Sequence, residues 1–261
     1  MLEELKNLFK LLKDFDVWKM LADTKMRARY NRTILGPFWE IFGSLFLLLL
    51  LAFLWSKLWG KNFIDFFTYL LVGYTLWRTI LSTITDANQL YAHTYISIIR
   101  NVKFHPFTLA IASAYKNLTT LLLNFPLIIL VLYLNNQIHV QSIFFAFVFL
   151  ILFFMSSISL TFLFGILCLK YRDLEHSIGV ILGMLFFFTP IIWSVDQLGD
   201  KVLLIQPNIL YHYLHFFRSG LQNGSVDTLS ITVVLCSTIF LVLFACFVCN
   251  LTKNKIAYWI D

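Results

Sequence analysis

Four charged residues fall inside or at the ends of long apolar runs and are the first candidates for chemistry: Glu40, Arg78, Asp86 and Lys116. A charge near the centre of a bilayer costs roughly 3 kcal/mol, so such a residue marks a substrate path, a proton relay or an internal ion pair. Glu40 and Asp86 lie near the ends of their runs, where water is close, and Arg78 follows Tyr74 by four residues, which puts both on one helical face. No chain of Asp, Glu and His links these charges, so structural pairing is at least as good a reading as substrate contact. His212 and His215 have a spacing that can bind a metal on a helix, but no carboxylate stands at a matching offset, and aromatic-rich packing is preferred. Cys246 and Cys249 form CxxC inside an apolar run without a nearby His or a second pair, which favours packing over redox or metal chemistry. The sequence has no GxxxxGKS/T, HExxH or GxSxG. Nothing here can hydrolyse ATP, so if the protein takes part in an energy-driven process the engine is another chain, and no metal, cofactor or catalytic residue is assigned to this one.

The elements that must position these residues are set by composition. Of 261 residues, 59% are hydrophobic, 18% aromatic and only 13% charged, about half the charge of a soluble domain. Such a chain cannot cover a water-facing surface, and an all-α membrane protein is predicted. The formal charge of +6 does not indicate nucleic acid, because eight of the 20 basic residues precede Gly36 and read as a topology signal facing anionic lipid.

Spans are predicted at 38–57, 66–85, 107–134, 142–169, 177–194 and 228–251 of one polytopic domain. Asn135-Asn136-Gln137 divides the uncharged stretch from Asn117 to Leu169 into the third and fourth. Six spans place both termini on one side. Fourteen basic residues fall in the predicted cytoplasmic segments and four in the outer ones, so that side is the cytoplasm. Residues 1–30 form a cytoplasmic region opening with an amphipathic helix, with Leu2, Leu5, Leu8, Phe9, Leu12 and Phe15 on one face and Lys6, Lys10 and Lys13 on another.

The first span carries an aromatic stripe: Trp39, Phe42, Phe46 and Phe53 fall within a narrow arc at ~100° per residue. Gly179 and Gly183 on the fifth span form GxxxG, which permits close helix approach, and Thr189-Pro190 breaks that helix. The segment Asp86–Phe107 is cytoplasmic by topology yet rich in apolar side chains, and a short amphipathic helix ending near Asn101 would offer them to a cytosolic partner or the membrane surface. Residues 195–227 lie outside by topology yet place Tyr211, Tyr213, Phe216 and Phe217 close together, which fits short helices dipping into the membrane or capping a pore.

Several of these stretches together carry a resemblance. RARYNRTILGPFW (Arg27–Trp39), RNVKFHPF (Arg100–Phe107), KYRDLEH (Lys170–His176), TPIIWS (Thr189–Ser194) and QPNILYHYLHFFRSGL (Gln206–Leu221) resemble, in order, the permease subunits of polysaccharide ABC exporters. O-antigen exporters are closest, with capsule and teichoic-acid exporters as relatives. The resemblance implies a homodimer in the bacterial inner membrane with a channel at its axis. It also implies two copies of a cytosolic nucleotide-binding ATPase that holds ATP and Mg, and a lipid-linked polysaccharide as substrate. Trp39, Phe42, Phe46, Phe53, Tyr74, Phe187 and Trp193 become channel-lining candidates. Tyr211, Tyr213, Phe216 and Phe217 become outer-gate candidates, and Tyr95, Ile98, Arg100, Lys103, Arg172 and Asp173 candidates for coupling to the ATPase. A drug or lipid exporter permease of similar topology is the alternative within the class. A membrane enzyme acting on polyprenyl-linked sugars is the alternative outside it, disfavoured because the acidic residues are scattered.

Overall fold

Backbone groups inside a bilayer must be satisfied within their own segment, and a chain this apolar meets that demand with helices. The computed structural model describes residues 1–31, 33–36, 38–91, 105–171, 173–253, 255–256 and 259, and among these it is all-helical, without strands. The elements in order are α1 (Leu2–Lys13), α2 (Phe15–Tyr30), α3 (Phe38–Leu58), α4 (Phe63–Gln89), α5 (Pro106–Leu123), α6 (Phe125–Leu134), α7 (Val140–Lys170), α8 (Leu174–Phe188), a 3-10 segment (Val195–Leu204), α9 (Ile209–Gln222) and α10 (Thr228–Thr252).

Four stretches among the described residues are long and apolar enough to cross a membrane: Ile41–Trp59, Pro106–Leu134, Val140–Lys170 and Thr228–Thr252. Of the six expected spans, the other two differ for separate reasons. With 15 residues, α8 is apolar but short. At 27 residues α4 is long enough, but Arg78 and its threonines and tyrosines dilute its apolarity.

That helix, the least apolar of the six expected spans, sits at the centre. α4 packs against α3, α5, α6, α7, α8 and α9. Its buried threonines return their hydroxyls to the preceding turn, Thr68 to the Ile64 carbonyl at 2.8 Å, Thr75 to Leu71 at 2.8 Å and Thr83 to Thr79 at 2.8 Å. These interior hydroxyls are thereby paired without help from water.

Breaks follow local chemistry. Asp14 separates α1 from α2. Within the expected third span, Asn124 separates α5 from α6: Pro126, in the first turn of α6, lacks a donor, and the Asn124 side chain donates to the Thr120 carbonyl at 2.9 Å. Thr189 ends α8 in extended backbone just before Pro190, as the Thr-Pro pair predicts.

Two apolar clusters result. One draws mainly on α4, α6, α7 and α9 around Phe149, Phe153, Phe216 and Phe217, and is joined by Leu48 and Ala52 of α3 and Ile178 and Leu182 of α8. The other joins α1, α2, α5, α10 and the far half of α7 around Trp18, Tyr91, Phe107 and Phe162, and it includes Cys246 and Cys249. These two cysteines pack as core residues. A hydroxyl cluster ties three helices together, with Ser156 Oγ 2.7 Å from Tyr213 Oη and 2.9 Å from Thr238 Oγ1.

Candidate translocation face and its anchors

α3 is held by one narrow ridge. Ser44, Leu48, Ala52 and Ser56, each four residues apart, are buried, and the small members let α4 come close. The aromatic stripe is turned away from that ridge. Trp39, Phe42, Phe46 and Phe53 are all more than half exposed, Phe46 by 74%. Among the described residues, none of these rings belongs to either of the two apolar clusters.

α8 is attached as lightly. Only Ile178 and Leu182 are buried, and the space beyond Gly179 and Gly183 is open, with no atom within 4 Å of where a Cβ would stand. Phe187 is 72% exposed on the same helix. Trp193 is half-buried and donates its indole N–H to the Phe187 carbonyl at 3.0 Å, which caps the end of α8. Tyr74 is half-buried and packs on the first cluster. The ends of α3 and α8 are linked by Lys61 Nζ donating to Ser194 Oγ at 2.8 Å.

The gate candidates divide. Tyr213, Phe216 and Phe217 are buried among α4, α7 and α10, with the rings of Phe216 and Phe217 centred 5.5 and 4.9 Å from that of Phe149. Their rings face the subunit interior. α9 lies back into the bundle, and its aromatic density is core. Tyr211 remains at the surface, half-buried beside His215. His212 is a hydrogen-bonded core residue, its Nδ1 3.0 Å from Ser230 Oγ and its Nε2 2.8 Å from the Gln206 carbonyl. His215 pairs with Asp227 at 2.9 Å; burial holds the imidazole below its ordinary pKa despite that carboxylate.

Of the coupling candidates, Tyr95, Ile98, Arg100, Lys103 and Arg172 lie outside the described residues, and Asp173 is exposed at the start of α8. The two ends of the 92–104 segment are nevertheless fixed. Tyr91 is buried and donates its phenol to the Pro106 carbonyl at 2.8 Å. Its ring lies against Gly165, where an added Cβ would stand 2.6 Å from Tyr91 Cε2. At the other end His105 caps α5 and reaches Glu4 Oε2 with Nε2 at 3.0 Å.

Glu4 is the hub of that anchor. Its fully buried carboxylate also accepts from Lys253 Nζ at 2.8 Å and from the Cys249 thiol at 3.7 Å. Burial pushes its pKa up, but the Lys253 and His105 hydrogen bonds outweigh this and hold it below the ordinary value. Ligand atoms of Glu4, His105 and Cys249 lie within 4.8 Å of one another, a spacing that could suit a metal. The ammonium on the same carboxylate makes the group an ion-paired staple joining α1, the start of α5 and the end of α10. Nearby, Lys116 pairs with Asp86 across α5 and α4, which gives two of the four charges in the apolar runs a structural partner. Arg78 faces a small polar recess with Ser44, Asn117 and Asn124.

Sequence comparison adds the family. The pattern of the family described as ABC-2 type transporter matches residues 16–222, from α2 to the last residue of α9. The chain belongs to the ABC-2 type transporter family. Its ABC-2 segment leaves out α1 and α10, yet similarity to individual proteins runs wider. An O-antigen export system permease protein RfbA of Klebsiella pneumoniae is 20% identical over 257 residues, covering 93% of this chain and 94% of the relative. A second Klebsiella pneumoniae protein of the same name is 21% identical over the same shares. One from Myxococcus xanthus is 21% identical over 181 residues, 69% of each chain. The ABC-2 assignment makes this a membrane transporter subunit, in line with its apolar helices, and not a member of an enzyme family.

Proposed function

We propose that the chain is the permease of an ATP-driven exporter of lipid-linked, O-antigen-like polysaccharide, working as a homodimer with a channel at its axis. The reading places it in the bacterial inner membrane with α3, α4, α5–α6, α7, α8 and α10 as six spans and both termini in the cytoplasm. The exposed stripe of Trp39, Phe42, Phe46 and Phe53 on α3 carries it. Facing a second copy across an axis, those rings would form an aromatic wall. Sugar rings present apolar C–H faces that stack on aromatics without locking, so a polymer can be held and still slide, as passage through any conduit requires. The names of the relatives and the arginines and lysines before Gly36 point the same way.

Force is supplied from outside the chain by two copies of a nucleotide-binding ATPase, which hold ATP and Mg. The ATPase docks on the cytoplasmic segment between Tyr91 and His105. Movement there is passed on at two points, the Tyr91–Gly165 contact to α7 and the His105–Glu4–Lys253 staple to α1 and α10. Leu2 and Phe9, exposed on α1, lie at the headgroups.

Co-purification from native membranes in mild detergent tests the reading. An ATP-hydrolysing subunit and a glycolipid should accompany a dimer of the chain. A monomer that brings down neither would overturn it.

A further inference from the structure

The CxxC of α10 has no His or carboxylate close to it in the sequence, yet the fold brings both to Cys249. Glu4 of α1, His105 at the cap of α5 and Cys249 of α10 converge from three elements, with ligand atoms within 4.8 Å of one another. The two oxygens of the carboxylate have separate partners. Oε1 takes the Lys253 ammonium at 2.8 Å, while Oε2 faces His105 Nε2 at 3.0 Å and Cys249 Sγ at 3.7 Å. The ammonium therefore leaves one oxygen, one imidazole nitrogen and one sulfur in mutual reach. A purely ion-paired staple has little use for the sulfur, because a thiol is a weak donor.

Carboxylate, imidazole and thiolate are ligands of tetrahedral zinc, with bonds of about 2.0–2.3 Å. Such a centre sets O···N at about 3.4 Å and O···S at about 3.6 Å. The 3.0 and 3.7 Å separations here are close to those values. The imidazole–thiol separation closes as the ring turns inward. His105 is the member free to turn: its side chain is 23% exposed, whereas Glu4 and Cys249 are fully buried. With the Lys253 side chain 35% exposed beside it, the cluster has a rim open to solvent, where an ion enters and a water completes the four ligands. Cys246, one turn before Cys249, is also fully buried but stands outside the group.

We propose that Glu4, His105 and Cys249 bind Zn²⁺ through Oε2, Nε2 and Sγ, with Lys253 retained on Oε1. The ion needs no cavity, because it takes the place of protons. Cys249 gives up its thiol proton to solvent, and the imidazole proton passes from Nε2 to Nδ1. Nδ1 then loses the 3.3 Å bond it accepts from the Phe107 amide. Thiolate and carboxylate balance the two charges of the ion. Coordinate bonds thus join α1, α5 and α10 and lock the His105 end of the 92–104 segment. The site is independent of what the transporter carries.

Cobalt titration of the full chain, stripped with EDTA and held in nanodiscs, tests this, with Zn²⁺ as competitor. One Co²⁺ per chain should bind with tetrahedral visible bands and a thiolate-to-cobalt charge-transfer band in the near ultraviolet. Zn²⁺ should displace it and raise the unfolding temperature. Cys249→Ser should abolish the charge-transfer band, and His105→Gln should weaken cobalt about tenfold or more. No saturable cobalt binding, cobalt bound without the charge-transfer band, a band retained in Cys249→Ser, or undiminished affinity in His105→Gln overturns the proposal. If Cys249→Ser does not fold, Cys236→Ser and Cys246→Ser serve instead. Each retains Cys249 and should keep the band, and its loss in either refutes the ligand set.

Discussion

Replacing Gly165 with alanine should disturb the anchor of the 92–104 segment without touching that segment. The added Cβ would stand 2.6 Å from Tyr91 Cε2, 2.7 Å from Cδ2 and 3.1 Å from the Ala87 carbonyl. Ordinary carbon contacts are about 3.5–4.0 Å, so the ring must retreat by about 1 Å within a full core. Overpacking of this kind costs about 1–3 kcal/mol. The retreat also strains the 2.8 Å bond from Tyr91 to the Pro106 carbonyl, worth about 1 kcal/mol. A total loss of about 2–4 kcal/mol is expected by these rules, read as a lower unfolding temperature of the purified chain. ATP turnover by the assembled transporter should also uncouple from glycan output. Tyr91→Phe keeps the ring and should lose only the hydrogen-bond share. Because the clash needs the ring, Gly165→Ala should add little in a Tyr91→Ala background, a non-additivity diagnostic of direct contact. A Gly165→Ala protein with wild-type stability and wild-type glycan output would refute the reasoning.

Other outcomes follow from the same geometry. Glu4→Gln should cost about 1–3 kcal/mol at neutral pH by loss of charge-assisted bonds, measured by thermal unfolding. Since folding lowers the Glu4 pKa, its contribution is present above the ordinary carboxylate range and is lost as pH falls through the folded value, so the gap between wild type and Glu4→Gln should close as the pH is taken down through that lowered value. Tyr213→Phe, which removes the hydroxyl shared by Ser156 and Thr238, should cost about 0.6–1.7 kcal/mol in the same assay. Gly183→Leu meets open space within the subunit and should leave the fold intact, while light scattering should show weakened dimerisation if α8 meets the second copy.

Most helix positions were legible because each apolar run ends at a chemical stop. Gly36-Pro37 precedes α3, Asn135-Asn136-Gln137 separates α6 from α7, and Thr189-Pro190 closes α8. The division of the 107–134 run at Asn124 was signalled by Pro126 but masked by unbroken hydropathy on both sides. The stripe on α3 was legible as a pattern. Its exposure was not, since periodicity groups residues on a face without saying what covers that face. For Phe216 and Phe217 topology left two readings, a helix dipping back into the membrane or one capping a pore, and only the packing of α9 against α4 and α7 shows that these two rings are core. On α1 the buried positions are Glu4 and Leu8, while Leu2 and Phe9 are exposed, so the apolar face drawn from spacing is split. Glu4 meets its partners 101 and 249 residues away, and no local signal marks it. Gly73 and Arg218 belong with it, one contact made by a missing side chain on another element.

The direction in which the α3 rings face decides the account most directly. Phe46→Cys in a Cys236→Ser background leaves only buried native cysteines, and a charged, membrane-impermeant thiol reagent then reports whether position 46 meets water or lipid. During ATP turnover with the assembled transporter, the account predicts rapid labelling of Phe46→Cys that saturating glycolipid slows, while exposed Cys236 in the otherwise native chain stays unlabelled in its lipid setting. A Phe46→Cys protein that exports glycan yet labels no faster than Cys236 would place the stripe against lipid and contradict a channel lined by it.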